Sequence, residues 1–225
     1  VELINCGVGA YESRRILDVF KEVLRYSPDL VIVISGNNET GREYCGGFKA
    51  GLERRLRAAR INLAALFQPR EEAAISVSMA IHEARLKEMA ALARGVAPVL
   101  FCTLPVNLRD SAPDGTLPGN LRPGVAELVS GDPAGALAIF SAALKAAPRD
   151  PFARFYSGKA LEALGRLPEA AAAYSAAVKY DSASDRCSAD RNEMIRRTAA
   201  AGGAGAADLQ AAFAGISRNG FPGRS

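Results

Sequence analysis

The residues best suited to chemistry stand where apolar runs give way to glycine and asparagine. Ile4-Asn5-Cys6-Gly7-Val8-Gly9-Ala10 is one such place, and Leu30-Val31-Ile32-Val33-Ile34-Ser35-Gly36-Asn37-Asn38-Glu39 is another. Each reads as a buried strand that empties into a glycine turn. In an open parallel sheet, ligands sit just beyond the carboxyl ends of the strands. Glycine lets the backbone approach a ligand closely, and an asparagine amide can donate to a developing oxyanion. A third polar stretch, Asn107-Leu108-Arg109-Asp110-Ser111-Ala112-Pro113, follows the apolar run 96–104. Gly36, Asn37, Asn107 and Arg109 are the candidates for contacting a substrate. Arg109 and Asp110 are nevertheless better suited to pairing with each other or capping their loop.

Other reactive side chains fit a structural role. His82, the single histidine, lies mid-helix beside charged neighbours and is expected at the surface or its boundary. Ser35, Ser76 and Ser78 do not sit in a Gly-x-Ser-x-Gly elbow, so no Ser-His-Asp triad is legible. The four cysteines, Cys6, Cys45, Cys102 and Cys187, are scattered singly. Without a CxxC pair or a second histidine there is no zinc-ligand spacing, and no cofactor motif is present. Cys6 and Cys102 fall inside apolar runs and read as small core residues.

Positioning these residues takes an α/β frame. Val1–Cys6 reads as a strand, Glu12–Tyr26 as a helix with Ile16, Val19, Phe20 and Val23 on one face, and Leu30–Ile34 as a strand buried on both faces. Gly47–Ala65 and Ala73–Arg94 read as helices, and Val96–Leu104 as a further buried strand. Alternating strands and helices argue for a parallel sheet. Ser111–Gly119, rich in Pro, Gly and Asp, is a connecting loop. Leu121–Tyr180 is then alanine-rich and helical. Asp190–Ala201 reads as a helix, Ala204–Leu209 as a last strand and Gln210–Ala214 as a short helix.

The helical stretch repeats. Gly124, Gly131, Ala136, Phe140 and Ala143 recur 34 residues later as Gly158, Gly165, Ala170, Tyr174 and Ala177. That period, with small residues at helix crossings and an aromatic in the second helix, is the signature of tetratricopeptide repeats. Pro148 closes the first unit, and Ser182 stands at the matching place in the second.

The order of these parts resembles the SGNH/GDSL hydrolase superfamily, and more narrowly its bacterial members that carry tetratricopeptide repeats. The likeness rests on the glycine turn after the first run, on Gly36-Asn37-Asn38-Glu39 after a strand, and on the Asn107–Pro113 loop, and it spans nearly the whole chain. It implies a flavodoxin-like three-layer α/β sheet with a helical insertion: residues 1–119 sheet domain, 120–184 helical hairpins, 185–225 a return to the sheet domain. It also implies a serine esterase mechanism, with Asn38 donating its side chain to the oxyanion and Gly9 or Ala10 its backbone N–H. Alanine stands where the superfamily often has glycine, though its N–H remains. On this resemblance the nucleophilic serine belongs upstream of Val1 and an Asp-x-x-His pair just downstream of Phe221-Pro222-Gly223. The chain is therefore expected to be an inactive fragment whose sheet lacks a central strand, with exposed strand edges that favour aggregation.

Bulk composition agrees with a folded domain. The 225 residues are 49% hydrophobic and 23% charged, with a net charge of +4 that forms no dense basic block, so nucleic acid is not an expected partner. No apolar run reaches the roughly 18 residues a membrane helix needs. Two classes of function remain. One is hydrolysis of a small-molecule ester or acylated glycan, or acyl transfer by the same site. The other is a non-catalytic scaffold, in which the helical repeats bind a protein or peptide partner and lean on the sheet domain for burial.

Overall fold

A computed structural model describes residues 2–9, 11–39, 70–181 and 186–223. The described chain forms two compact units. Residues 1–104 and 191–209 make the first, and residues 105–190 and 210–225 the second. The loop 105–119 and the C-terminal segment thus cluster with the helical hairpins.

The first unit holds a small parallel sheet. Its strands are β1 (Val31–Ile34), β2 (Val99–Cys102) and β3 (Gly205–Ala207), in that order. Register pairs Val31 with Val99 and Leu100 with Gly205. The crossings between parallel strands need helices, as the alternating sequence predicts. Helix α1 (Ser13–Val23) precedes β1 and packs on α2 (Arg70–Ala93), which leads into β2. Leu17 and Phe20 of α1 are buried, as are Leu86, Met89, Ala90 and Ala93 of α2. β2, the central strand, carries buried Val99, Phe101 and Cys102. Its end is finished by a side chain: Asn192 accepts from Leu104 N at 2.8 Å and donates to Leu104 O at 2.8 Å. Asn192 belongs to α7 (Ala189–Gly202), which delivers the chain to β3.

Three expectations fail in this unit. Residues 2–8 form no strand; Leu3 and Ile4 are 87% and 74% exposed, and Asn5 Oδ1 accepts from Gly7 N at 2.9 Å in a local turn. Among the described residues no strand flanks this run, so its apolar side chains have nothing to bury against. Cys6 is exposed for the same reason. β1 is not buried on both faces either, since Ile32 and Ile34 are 50% and 59% exposed while Val33 is buried. The helix expected over Gly47–Ala65 lies outside the described residues, as does Ser182.

The second unit is built from four helices in two hairpins: α3 (Arg122–Ser130), α4 (Pro133–Ala146), α5 (Pro151–Ala163) and α6 (Leu167–Tyr180). Local chemistry sets their ends. Asp132 and Asp150 cap α4 and α5 by accepting from Gly135 N and Ala153 N, and proline occupies the first turn of each. Gly131 and Gly165 turn the chain at φ 89° and 72°, the left-handed region glycine enters without penalty. The repeat read from the sequence is a packing repeat. A Cβ on Gly124 would lie 2.6 Å from the Phe140 ring, and one on Gly158 2.7 Å from the Tyr174 ring. Each glycine lets the paired helix lay its aromatic directly on the backbone. Helix α8 (Leu209–Ile216) follows β3 and has no buried residue.

Candidate functional site

The turn after β1 is held by a buried polar network. Glu39 is 5% exposed, and its carboxylate accepts from Ser13 N at 2.6 Å and from Ser13 Oγ at 2.7 Å. It thereby satisfies an otherwise orphaned donor in the first turn of α1 and adds negative charge at that helix end. Arg85 Nη1 donates to Ser13 Oγ at 2.9 Å, so the hydroxyl sits between cation and carboxylate. Ser35 Oγ reaches Glu39 Oε1 at 3.4 Å and His82 Nε2 at 3.0 Å. Ser78, one turn before His82 on α2, donates to Glu39 O and accepts from Arg191 Nη2.

His82 is fully buried, contrary to the surface position expected of it. The signal was present: His82, Leu86, Met89 and Ala93 follow the spacing of one helical face, and all four are buried. Of its charged sequence neighbours, Glu83 pairs with Lys87, whereas Arg85 joins the same network through Ser13. Burial, then the charges of Arg191 and Arg85, hold its pKa well below the usual 6.5, so the ring is neutral at pH 7. Arg191 Nη1 lies 3.2 Å from Nδ1. A guanidinium only donates, so Nδ1 is the acceptor and Nε2 carries the proton directed at Ser35. The Ser35–His82 pair consequently has the polarity opposite to that of a serine nucleophile and its base.

The residues read from the sequence fall as follows. Gly36 is buried with φ 142°, a conformation open to glycine, and turns the chain out of β1. Asn37 is exposed and Asn38 half-buried. Asn38 Nδ2 donates to Tyr11 O at 3.2 Å, bringing the turn against the segment that follows Gly9. Gly9 sits in an exposed turn, with open space around its Cα. Ala10 lies outside the described residues. Asn107 and Arg109 are in the second unit. Asn107 Oδ1 accepts from Asp110 N at 2.8 Å and shapes the loop. Arg109 Nε pairs with Glu162 Oε1 on α5 at 3.1 Å, and Asp110 Oδ1 lies 3.8 Å from Lys159 Nζ. The loop therefore presents a cation and an anion to an anion and a cation one turn apart on α5.

Glu162 is the hub of that second cluster. Besides pairing with Arg109, it accepts hydrogen bonds from the Tyr174 hydroxyl at 2.9 Å and the Asn219 amide at 3.0 Å. Burial, then the Glu162 hydrogen bond, pushes the Tyr174 phenol far above its usual range, so the hydroxyl keeps its proton and donates it in the bond to Glu162. The sequence offered little to find this cluster, because its members lie on three separated segments. Among the described residues no group of three His, Cys, Asp or Glu could hold a metal ion, and no helix is long and apolar enough to cross a membrane.

Comparison with known proteins bears on the hairpins. Residues 122–185 match the model of the tetratricopeptide repeat family, the stretch in which the 34-residue spacing and the paired glycine–aromatic crossings occur. No curated protein matches the chain, and no solved structure does.

Proposed function

We propose that the chain works as a protein-interaction module whose binding element is the pair of tetratricopeptide-like hairpins. The observation that carries this is the family match over residues 122–185, on helices that repeat the same glycine–aromatic crossing. Paired hairpins of this kind present long helical faces for another chain, and two repeats draw on neighbouring structure for burial. Here the Phe155–Tyr174 cluster is completed by Leu108, Ala112 and Phe221 from outside the hairpins. The test is cross-linking of the chain to a partner purified from its source. Lys145, Lys159 and Lys179 on the hairpins are expected to carry the cross-links. Cross-links confined to Lys21 and Lys87 in the sheet unit would contradict the assignment.

A second reading, an SGNH-type ester hydrolase or O-acyltransferase acting on a small ester or acylated glycan, draws on one observation. The Gly36–Glu39 turn stands at the carboxyl end of β1, with Asn38 bonded to the backbone carbonyl of Tyr11, two residues after Gly9. On this reading Asn38 and the N–H of Gly9 or Ala10 steady the oxyanion, Gly36 and Asn37 meet the substrate, and the nucleophile and its base come from flanking sequence. Loss of one such donor costs roughly 10²–10³ in turnover. A version extended at both ends should hydrolyse a short-chain nitrophenyl ester and lose most of that activity in Asn38→Ala. An extended protein that is inactive, or indifferent to Asn38→Ala, removes this reading.

A further inference from the structure

The last described residues lie on the second hairpin in the manner of a docked peptide. Asn219 and Gly220 form a left-handed turn, at φ 56° and 76°, that carries Phe221 inward. Phe221 is 5% exposed, and its ring meets Tyr174 edge-on at 5.4 Å. Pro222 O accepts from both Leu108 N at 2.9 Å and Arg109 N at 3.3 Å. Asn219 Nδ2 donates to Glu162 Oε1 at 3.0 Å. Gly223 passes so close to the loop that a Cβ there would fall 2.5 Å from Asp110 Oδ2.

Internal symmetry explains why an aromatic belongs there. Within the hairpins, Phe140 of α4 is covered by Tyr156 of α5, with ring centres 5.8 Å apart. Tyr174 is the 34-residue counterpart of Phe140, and Phe221 meets it edge-on where Tyr156 stacks on Phe140. The second hairpin thus offers an aromatic contact at the place where the first hairpin offers one to α5, and the segment after α8 fills it. That segment is weakly anchored elsewhere: Arg218, Asn219, Gly220 and Gly223 are exposed, and α8 before it buries nothing. Segments with so few buried contacts open locally at low cost.

We propose that the slot formed by Phe155, Glu162, Tyr174 and the Leu108 and Arg109 amides is a peptide-binding site, with Asn219–Pro222 as its resident occupant. The partner it fits is a peptide segment bearing an aromatic–proline pair, with an amide side chain two residues before the aromatic. The aromatic fills the slot, the carbonyl after it meets the two N–H groups, and the amide meets Glu162. This inference rests on the protein-binding reading of the hairpins and names the ligand class.

The test uses the full chain and a capped synthetic peptide, Ser-Arg-Asn-Gly-Phe-Pro-Gly, followed by calorimetry. The peptide should bind the Phe221→Ala chain, and bind the wild type at least about tenfold more weakly, because a filled slot lowers the competent fraction. A peptide with alanine for phenylalanine should bind neither. Equal binding to both chains, or none to a folded Phe221→Ala chain, overturns the proposal. If Phe221→Ala does not fold, excess peptide is added to the wild type and amide exchange is followed. Faster exchange over 218–223 supports displacement, and unchanged exchange overturns it. A protein partner that protects α3–α6 while exchange over 218–223 stays unaltered would leave the module reading intact and remove the slot.

Discussion

Arg191 Nη1 lies 3.2 Å from Nδ1 of His82, the position in which a catalytic histidine carries its orienting carboxylate. Burial depresses the ring's pKa, and the substitution of a cation for an anion lowers it further, fixes the tautomer and turns the imidazole from a base into a donor. A serine 3.0 Å from the other ring nitrogen is therefore a structural partner. The pair secures the turn that follows β1.

The buried histidine makes stability depend on pH. Its folded pKa lies well below 6.5, whereas the unfolded ring titrates near 6.5. Between those values the unfolded chain binds a proton that the folded chain excludes. The contribution is complete above about pH 7 and is lost as pH falls through that window toward the folded value. Urea denaturation from pH 7.5 to 5 should show the wild type losing more stability than His82→Gln, which keeps a donor and an acceptor without a titrating ring. Parallel curves would contradict the assignment.

Gly158→Ala should destabilise the second hairpin. The new methyl meets the Tyr174 ring at 2.7 Å, and overpacking of this kind costs about 1–3 kcal/mol. Helix propensity returns up to about 1 kcal/mol, so a net loss remains. Thermal melts of the single variant, of Tyr174→Leu and of the double variant should show the double losing less than the sum.

Asn192→Leu should be costly out of proportion to its volume. It leaves Leu104 N and Leu104 O without their side-chain partners at a buried strand end. An unsatisfied buried group costs about 1–3 kcal/mol each. Denaturant titration checks this, and a loss below about 1 kcal/mol would contradict it.

Glu162→Gln should loosen the loop and the C-terminal segment together. It retains an acceptor for Tyr174 but removes the charge that faces Arg109, and charge-assisted bonds are worth about 1.5–3 kcal/mol before solvent screening. Amide exchange at Leu108, Arg109 and 218–223 should quicken while α3 and α4 stay protected. Uniform quickening across all four helices would indicate a merely global loss.

Periodicity carried much of the fold. The hairpins were legible because glycine, alanine and aromatic positions recur at fixed spacing and pack as that spacing implies. β2 was legible from the apolar run between Gly95 and Pro105, and β3 falls inside the stretch Ala204–Leu209 read as a strand. Residues 2–8 misled because an apolar run reports what a segment would bury, not whether a neighbour is there to bury it. The buried network was hidden for another reason. Ser13, Glu39, Ser78, His82 and Arg191 are brought together by tertiary packing, and only the spacing of His82 with Leu86 and Met89 hinted at it. Arg109 showed its polar character in the sequence, but its partner Glu162 lies 53 positions further along.

The central claim, that the hairpins are the binding element, is tested most directly by amide exchange of the chain with and without its purified partner. The account predicts protection concentrated on α3–α6 and on residues 107–112, with the sheet strands unchanged. Protection confined to β1–β3 and the Gly36–Glu39 turn, with the hairpins exchanging as they do alone, would contradict it.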